Sequence, residues 1–305
     1  MKLLKRGRKA ASGPIRNWRD YLFESLCTLI VALFAVCCLA PFVYVFFTSF
    51  MDYEEYLAHP LRIIPHNFSL EAYKQILDYN LIHTGALVSV TVTAVGTALS
   101  IFLLVITAYA LSRPHLRGRK LIMGMILFTM FFNGGMIPNY LLIRNLKLYN
   151  TVWALILPES ISAFNLILMK NFIRTSVPES LLEAAQLDGA NDLRILTSVV
   201  IPMSKPAIAT MTIFHAVGYW NNYFNAAMYV SDRKLWPLTL VLRELVVENT
   251  DSVSPVTAML NAQARSHPFT LKMAAIIIVI VPILLVYPFM QRYFVKGISL
   301  GSIKE

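Results

Sequence analysis

Charged side chains are scarce in this sequence. They make up 14% of its 305 residues, against roughly 25% in an ordinary soluble domain, while 57% of the chain is hydrophobic. Such a balance is that of a polytopic membrane protein. Cysteine is nearly absent. The three present, Cys27, Cys37 and Cys38, all lie in the first apolar run and lack the paired spacing of a zinc site or redox motif. They are expected to be small core residues. A nucleotide-binding loop is missing as well: no G-x-x-x-x-G-K-[ST] occurs, and "MFFNGGMIP" has two glycines but no lysine or following hydroxyl to hold phosphate. No internal repeat, low-complexity stretch or second soluble domain is evident. The net charge of +10 does not point to nucleic acid, because the basic residues bracket apolar runs and form no aromatic-interleaved stripe.

What is present are the apolar runs themselves. About 20 mostly apolar residues cross a bilayer as a helix. Six segments qualify, at about Ser25 to Phe50, Thr84 to Leu111, Leu121 to Leu142, Thr151 to Met169, Ala207 to Val230 and Ala274 to Met290. An all-α fold of six membrane helices is expected, with both termini on one side. Eighteen of the 27 Lys and Arg residues fall in the tails and loops of that side, so both termini are placed in the cytoplasm. Residues 1–24 then form a basic cytoplasmic tail, 25–291 the membrane domain and 292–305 a second cytoplasmic tail. A segment at 176–204 faces the cytoplasm and a long loop at 231–272 faces outside. The first run spans about 26 residues with Pro41 well inside it, too long for a signal-peptide core, so a retained span is expected.

Outside the membrane, "NFSLEAYKQILDYN" predicts a short helix capped by Ser69, with Glu71 in its first turn and Leu70, Tyr73, Ile76 and Leu77 on one face. It is expected on the outer membrane surface or packed on the bundle. In the outer loop, "PLTLVLRELVVENTD" and "SPVTAMLNAQARSHP" are expected to form short helices.

The most polar part of the second half reads "VPESLLEAAQLDGANDLRILTSVVIP". Pro178 suits a first helical position and Glu179 favours the positive end of the helix dipole. Leu181, Leu182, Ala185 and Leu187 give that helix an apolar side. Gly189 falls where a left-handed residue ends a helix, and Asn191 can cap a second helix that runs to a stop at Pro202. The predicted product is a cytoplasmic helix-turn-helix, with Ala184 and Ala185 small enough to admit a partner surface and Glu183 offering a charge.

The spacing Glu183-Ala184-Ala185, three residues, Gly189, nine residues, Val199, one residue, Ile201 and Pro202 resembles the EAA signature of ATP-binding-cassette importer permeases. Its usual ending, Ile-x-Leu-Pro, is here changed conservatively. "LKLYNTVWALILP", "YWNNYFNAAMYVSD" and "QRYFVKGISLGSIKE" are similar to the carbohydrate-uptake branch, and within it to the smaller permease of oligosaccharide importers. The resemblance implies the permease architecture of that family in a bacterial cytoplasmic membrane. It implies coupling to an ATPase through Glu183, Ala184, Ala185, Asp188, Gly189 and Pro202. The implied partners are a second permease in a heterodimer, two ATPase subunits that bind ATP and magnesium, and an external solute-binding protein that delivers an oligosaccharide. The chain itself is expected to be no enzyme and to hold no cofactor or metal.

Polar residues inside the runs are candidates for a substrate path. "WNNYFN" supplies Trp220, Asn221, Asn222, Tyr223 and Asn225, whose amides and aromatic faces suit a sugar's hydroxyls and C–H faces. Bonding to a neighbouring subunit's helices would use the same groups. Asn133, Gly134, Gly135 and Pro138 weaken the continuity of the third run, so a local break is expected there; it would line a cavity, or the glycines serve close packing against a neighbour, and packing is the preferred reading. Glu159 could line a path or hold a structural partner, and His215 is expected as a packing residue. Were Glu159 and His215 a proton relay, the chain would be an ion-coupled carrier. Another solute, such as a disaccharide, polyol or glycerol phosphate, remains the alternative to an oligosaccharide.

Overall fold

The computed structural model describes residues 18–59, 62–247 and 268–302, and among them the fold is helical. Three helices are long and apolar enough to cross a bilayer alone: α1 (Trp18–Thr48), α4 (Asn80–Ser112) and, after an interval outside the described residues, α15 (Pro268–Ser302). Between α1 and α4 lie the short α2 (Tyr53–Ala58) and α3 (Glu71–Leu77). The remaining expected spans are broken. Helix α5 (Arg119–Phe131) meets α6 (Met136–Asn145) at 118°. Helix α7 (Trp153–Ile156) and its 3-10 turn Leu157–Glu159 meet α8 (Ala163–Ser176) at 52°. The fifth expected span is α12 (Lys205–Asn221) followed by α13 (Tyr223–Tyr229), with Asn222 between them.

The bend at 118° is the local break expected in the third span. Gly135 adopts φ +90°, a conformation that glycine takes without penalty, and the Asn133 Oδ1 accepts its N–H at 2.9 Å. A methyl group on Gly135 would meet nothing within 4 Å, and one on Gly134 only Pro138. Within this chain the glycines therefore serve the break and not close packing.

Helix α4 is the axis of the bundle, packed against α8, α12 and α14 (Leu238–Val247). Two apolar cores lie toward its two ends. Toward its C-terminal end, Leu104, Val105, Ala108 and Leu111 meet Leu166, Met169 and Ile173 of α8 and Ala207 and Met211 of α12. Toward the other end, Ile82 joins Ile76 of α3, Trp220, Val241 and Leu242 of α14 and Ala274 of α15. Helix α3 is thus packed on the bundle, burying Ala72 and Ile76, while Leu70 and Leu77 of its expected apolar face stay exposed. Its N-cap is Leu70, and Ser69 accepts the Glu71 N–H from one position earlier. The expected outer-loop helix is α14, and it is a core element. The "SPVTAMLNAQARSHP" segment lies outside the described residues.

Among the long helices, α1 packs chiefly on α15. Its most apolar window buries nothing inside the chain, and Cys27, Cys37 and Cys38 are exposed on it. The core placement expected of the cysteines is therefore wrong. A membrane helix need not bury its apolar side chains in its own protein, since the hydrocarbon is as apolar as they are.

After α2 the chain is tied by one carboxylate. Glu55 accepts from the backbone N–H groups of His66 (2.6 Å) and Asn67 (3.1 Å) and from Arg62 Nη1 (3.1 Å). These bonds favour its charged form, and those from His66 and then Asn67 do most to hold its pKa below the ordinary 4.5.

Candidate functional site

The polar hairpin between the fourth and fifth spans projects from one end of the bundle. Its first helix, α9 (Glu179–Leu187), starts one residue later than expected, with Pro178 as N-cap. Gly189, at φ +77°, closes the helix: its N–H donates to Gln186 O and the Ala190 N–H to Ala185 O, both at 3.0 Å. This pair of bonds is a Schellman closure, and Ala185 and Ala190 pack together against the core beneath it. Asn191 Oδ1 then accepts the Arg194 N–H at 2.9 Å and caps α10 (Asp192–Ile195), a contact typically worth about 1 kcal/mol.

The second helix does not stop at Pro202. It widens into a π turn, Leu196–Val200, continues as α11 (Ile201–Met203), and breaks at Ser204, where the chain bends by 83° into α12. The Ile201 N–H reaches back five residues to Leu196 O. A widened turn accommodates a proline that lacks an N–H and would crowd the carbonyl of a tighter helix.

The hairpin is anchored by Leu182, Ile195, Leu196 and Val200, all buried in the core that holds α4, α8 and α12. Tyr109 of α4 adds a hydroxyl bond to Asp192 Oδ1 at 3.3 Å. Glu183, Ala184 and Asp188 point outward beside two large apolar side chains, Leu187 at 90% exposure and Leu193 at 67%. Leu187 is read from the sequence as part of the helix's apolar side, whose Leu182 is buried. It stands instead at the hairpin tip.

The second group of expected residues separates. Trp220 turns into the core and donates from Nε1 to Val279 O of α15 at 3.3 Å. Asn222 caps α13, accepting the Asn225 N–H at 3.2 Å. Tyr223 is partly exposed beneath the Arg243 guanidinium, 4.8 Å from its ring centre, and Asn221 is exposed. Asn225 also reaches a candidate on another span: its Nδ2 donates to Glu159 Oε1 at 3.2 Å. Glu159 closes the 3-10 turn at the break in the fourth span and is otherwise exposed. Asn133 lies at a different break and is exposed. His215 bonds Asn165 of α8 at 3.3 Å, as a packing residue does.

Two organising residues were not singled out from the sequence. Tyr219 is buried, its hydroxyl 2.9 Å from Ser100 Oγ and donating to Ile156 O at 2.9 Å, so one side chain joins α4, α12 and the turn that presents Glu159. Its ring lies against Gly96, where a methyl group would stand 2.8 Å from it. Asn150, at φ +60°, accepts from Ser231 N and Asp232 N and donates its own N–H to Tyr229 O. It pins the entry to α7 against the exit from α13.

A multi-pass bundle with broken spans, a polar pair at one of the breaks and a capped hairpin at one end is the build of a membrane transport permease. The chain belongs to the family of binding-protein-dependent transport system inner membrane components, whose pattern matches residues 99–300. It is 44% identical over 286 residues to the polygalacturonan/rhamnogalacturonan transport system permease protein YtcP of Bacillus subtilis, covering 94% of this chain and 99% of that one. Protein LplC of the same organism is 40% identical over 264 residues, covering 87% and 88%. Among solved structures, a chain from a bacterial ABC transporter involved in the import of the acidic polysaccharide alginate superposes with a TM-score of 0.85 at 34% identity, over 92% of this chain and 100% of that one. The protein is an integral, multi-pass component of the bacterial inner membrane.

Proposed function

We propose that this chain is one of two permease subunits of an ATP-driven importer that moves an oligosaccharide into the cytoplasm. The observation that carries the reading is the hairpin. Its closure at Gly189 and cap at Asn191, with Leu182 buried in the bundle core, fix a short helix on the end of the bundle with Glu183, Ala184 and Leu187 presented outward. A short helix with an exposed apolar tip and one carboxylate suits a groove on another protein. Two ATPase subunits that bind ATP and magnesium are the partners proposed for it, and Asp188, Ala185 and Pro202 shape the element that docks. The distribution of Lys and Arg supports a cytoplasmic hairpin and cytoplasmic termini.

The solute is assigned by chemistry and kinship together. The relatives named above include a polygalacturonan/rhamnogalacturonan transport system permease and a structure from an alginate importer, and the Glu159–Asn225 pair offers the carboxylate and amide that bond sugar hydroxyls. Glu159 and Asn225 are proposed to border the path, with Asn221, Tyr223 and Asn133 on the same chain's exposed surfaces. Trp220 and Asn222 serve packing and capping instead. A second permease would cover the unburied face of α1, and an external solute-binding protein would deliver the sugar.

The test is to purify the tagged chain from its native membrane, identify its partners by mass spectrometry, and measure uptake in vesicles with and without ATP. Co-purification of an ATPase and a second permease, with uptake that requires ATP, is expected. Glu183→Lys is expected to remove ATPase attachment or coupled uptake while the membrane fold persists. Transport by the isolated chain without ATP, or normal coupled uptake by Glu183→Lys, would overturn the reading.

A further inference from the structure

Beside the hairpin, an open cavity of about 680 Å³ lies between the start of α5 and α8. It is lined by Pro114, Leu116, Met123 and Leu127 on the apolar side and by Arg119, Lys120 and Lys170 on the other. Arg174 adds its charge close to Lys170. No carboxylate among the described residues pairs with any of these cations. The start of α5 adds to the imbalance. Its N-cap is Gly118 at φ +76°, no side chain caps it, and its first turn holds no acidic residue, so the positive end of a 13-residue helix is also uncompensated. The outer flank of α5 is apolar and exposed, with Leu121, Met125 and Phe128 turned away from the chain.

We infer that this cavity is a binding site for an anionic phospholipid, its phosphodiester headgroup held by Arg119, Lys120 and Lys170 and an acyl chain lying along Met123 and Leu127. Charge and shape together select this occupant. A free phosphate would satisfy the cations but leave the apolar wall wet, and a neutral lipid would satisfy only the wall. Basic pockets between membrane helices on the cytoplasmic side take anionic headgroups for this reason. The orientation proposed above decides only which leaflet supplies the lipid.

The assay is native mass spectrometry and lipid exchange on the intact complex in nanodiscs of phosphatidylglycerol or phosphatidylcholine. Wild type is expected to retain phosphatidylglycerol selectively. Each cation replaced, in Lys120→Gln and Lys170→Gln, is expected to weaken that retention about fivefold, the usual worth of one basic residue at an anionic surface. Gly124→Leu provides an independent arm, because a methyl group at that position meets nothing within 4 Å and a larger side chain would fill the cavity with the charges intact. It is expected to expel the lipid as well. Equal retention of both lipids, full displacement by inorganic phosphate, or variants that lose ATPase subunits while keeping phosphatidylglycerol would each overturn the assignment.

Discussion

Replacing Gly96 by alanine tests whether Tyr219 organises the centre of the bundle. The new methyl would sit 2.8 Å from two atoms of the Tyr219 ring and 2.9 Å from a third. Carbon atoms pack best at about 3.5–4.0 Å, so the ring must retreat by roughly 0.7 Å or more. Tyr219 cannot swing freely, because its hydroxyl is held at 2.9 Å by both Ser100 and Ile156 O. Overpacking of this kind costs about 1–3 kcal/mol, and losing the Ser100 bond adds about 1 kcal/mol. Gly96→Ala should therefore lower the thermal midpoint of the purified complex by several degrees. It should also slow uptake, since Ile156 leads directly into the turn that carries Glu159. Adding Tyr219→Leu removes the ring that clashes, so the double variant should be more stable than the sum of the two single losses. An unshifted midpoint for Gly96→Ala, or strict additivity in the double variant, would refute the reasoning.

Gly189→Val places a β-branched residue at φ +77° in open space, so the penalty is conformational, about 1–2 kcal/mol, and should appear as lost stimulation of the partner ATPase, with Gly189→Asn milder. Because Glu55 has a depressed pKa in the folded chain, its contribution is present above the ordinary value of 4.5 and is lost as pH falls through the lower folded value. Limited proteolysis between residues 62 and 68 should accelerate on such acidification in wild type, and already at neutral pH in Glu55→Gln. Glu159→Gln keeps an acceptor for Asn225 but removes the charge. If the pair borders the sugar path, uptake kinetics should change by about tenfold or less with assembly intact, and unchanged kinetics would remove Glu159 from the path.

The features that were legible in the sequence are those set by neighbouring residues. Gly189 as a left-handed closure and Asn191 as a cap each depend on bonds that span three to five residues, and both stand as read. The stop at Pro202 was misplaced because a π turn lets the helix absorb the proline, and no single residue announces such a turn. Leu187 matched the apolar side of a short helix, where one turn of periodicity cannot distinguish a buried leucine from one offered to a partner. The Glu159–Asn225 and Asn165–His215 bonds join residues 66 and 50 positions apart, so only the packed bundle reveals them. Tyr219 and Asn150 lie in stretches that resemble the family, yet neither residue type announced its role. An aromatic residue in an apolar run and an asparagine in a loop are common, and their roles come from the helices that happen to converge on them.

The core under the hairpin sets how the molecule can respond to a load. Leu182, Ile195, Leu196 and Val200 belong to the same packed cluster as Leu104 of α4, Met169 of α8 and Met211 of α12. Densely packed interiors have low compressibility, so force applied at Leu187 is not dissipated in a soft joint. The π turn and the Ser204 bend of 83° lie inside this packed region, since Leu196 and Val200 before the bend and Ala207 and Met211 after it share the one cluster. The hairpin is thus mechanically continuous with α4, α8 and α12. Displacement at its tip should move these helices as one body, with the 83° angle at Ser204 preserved.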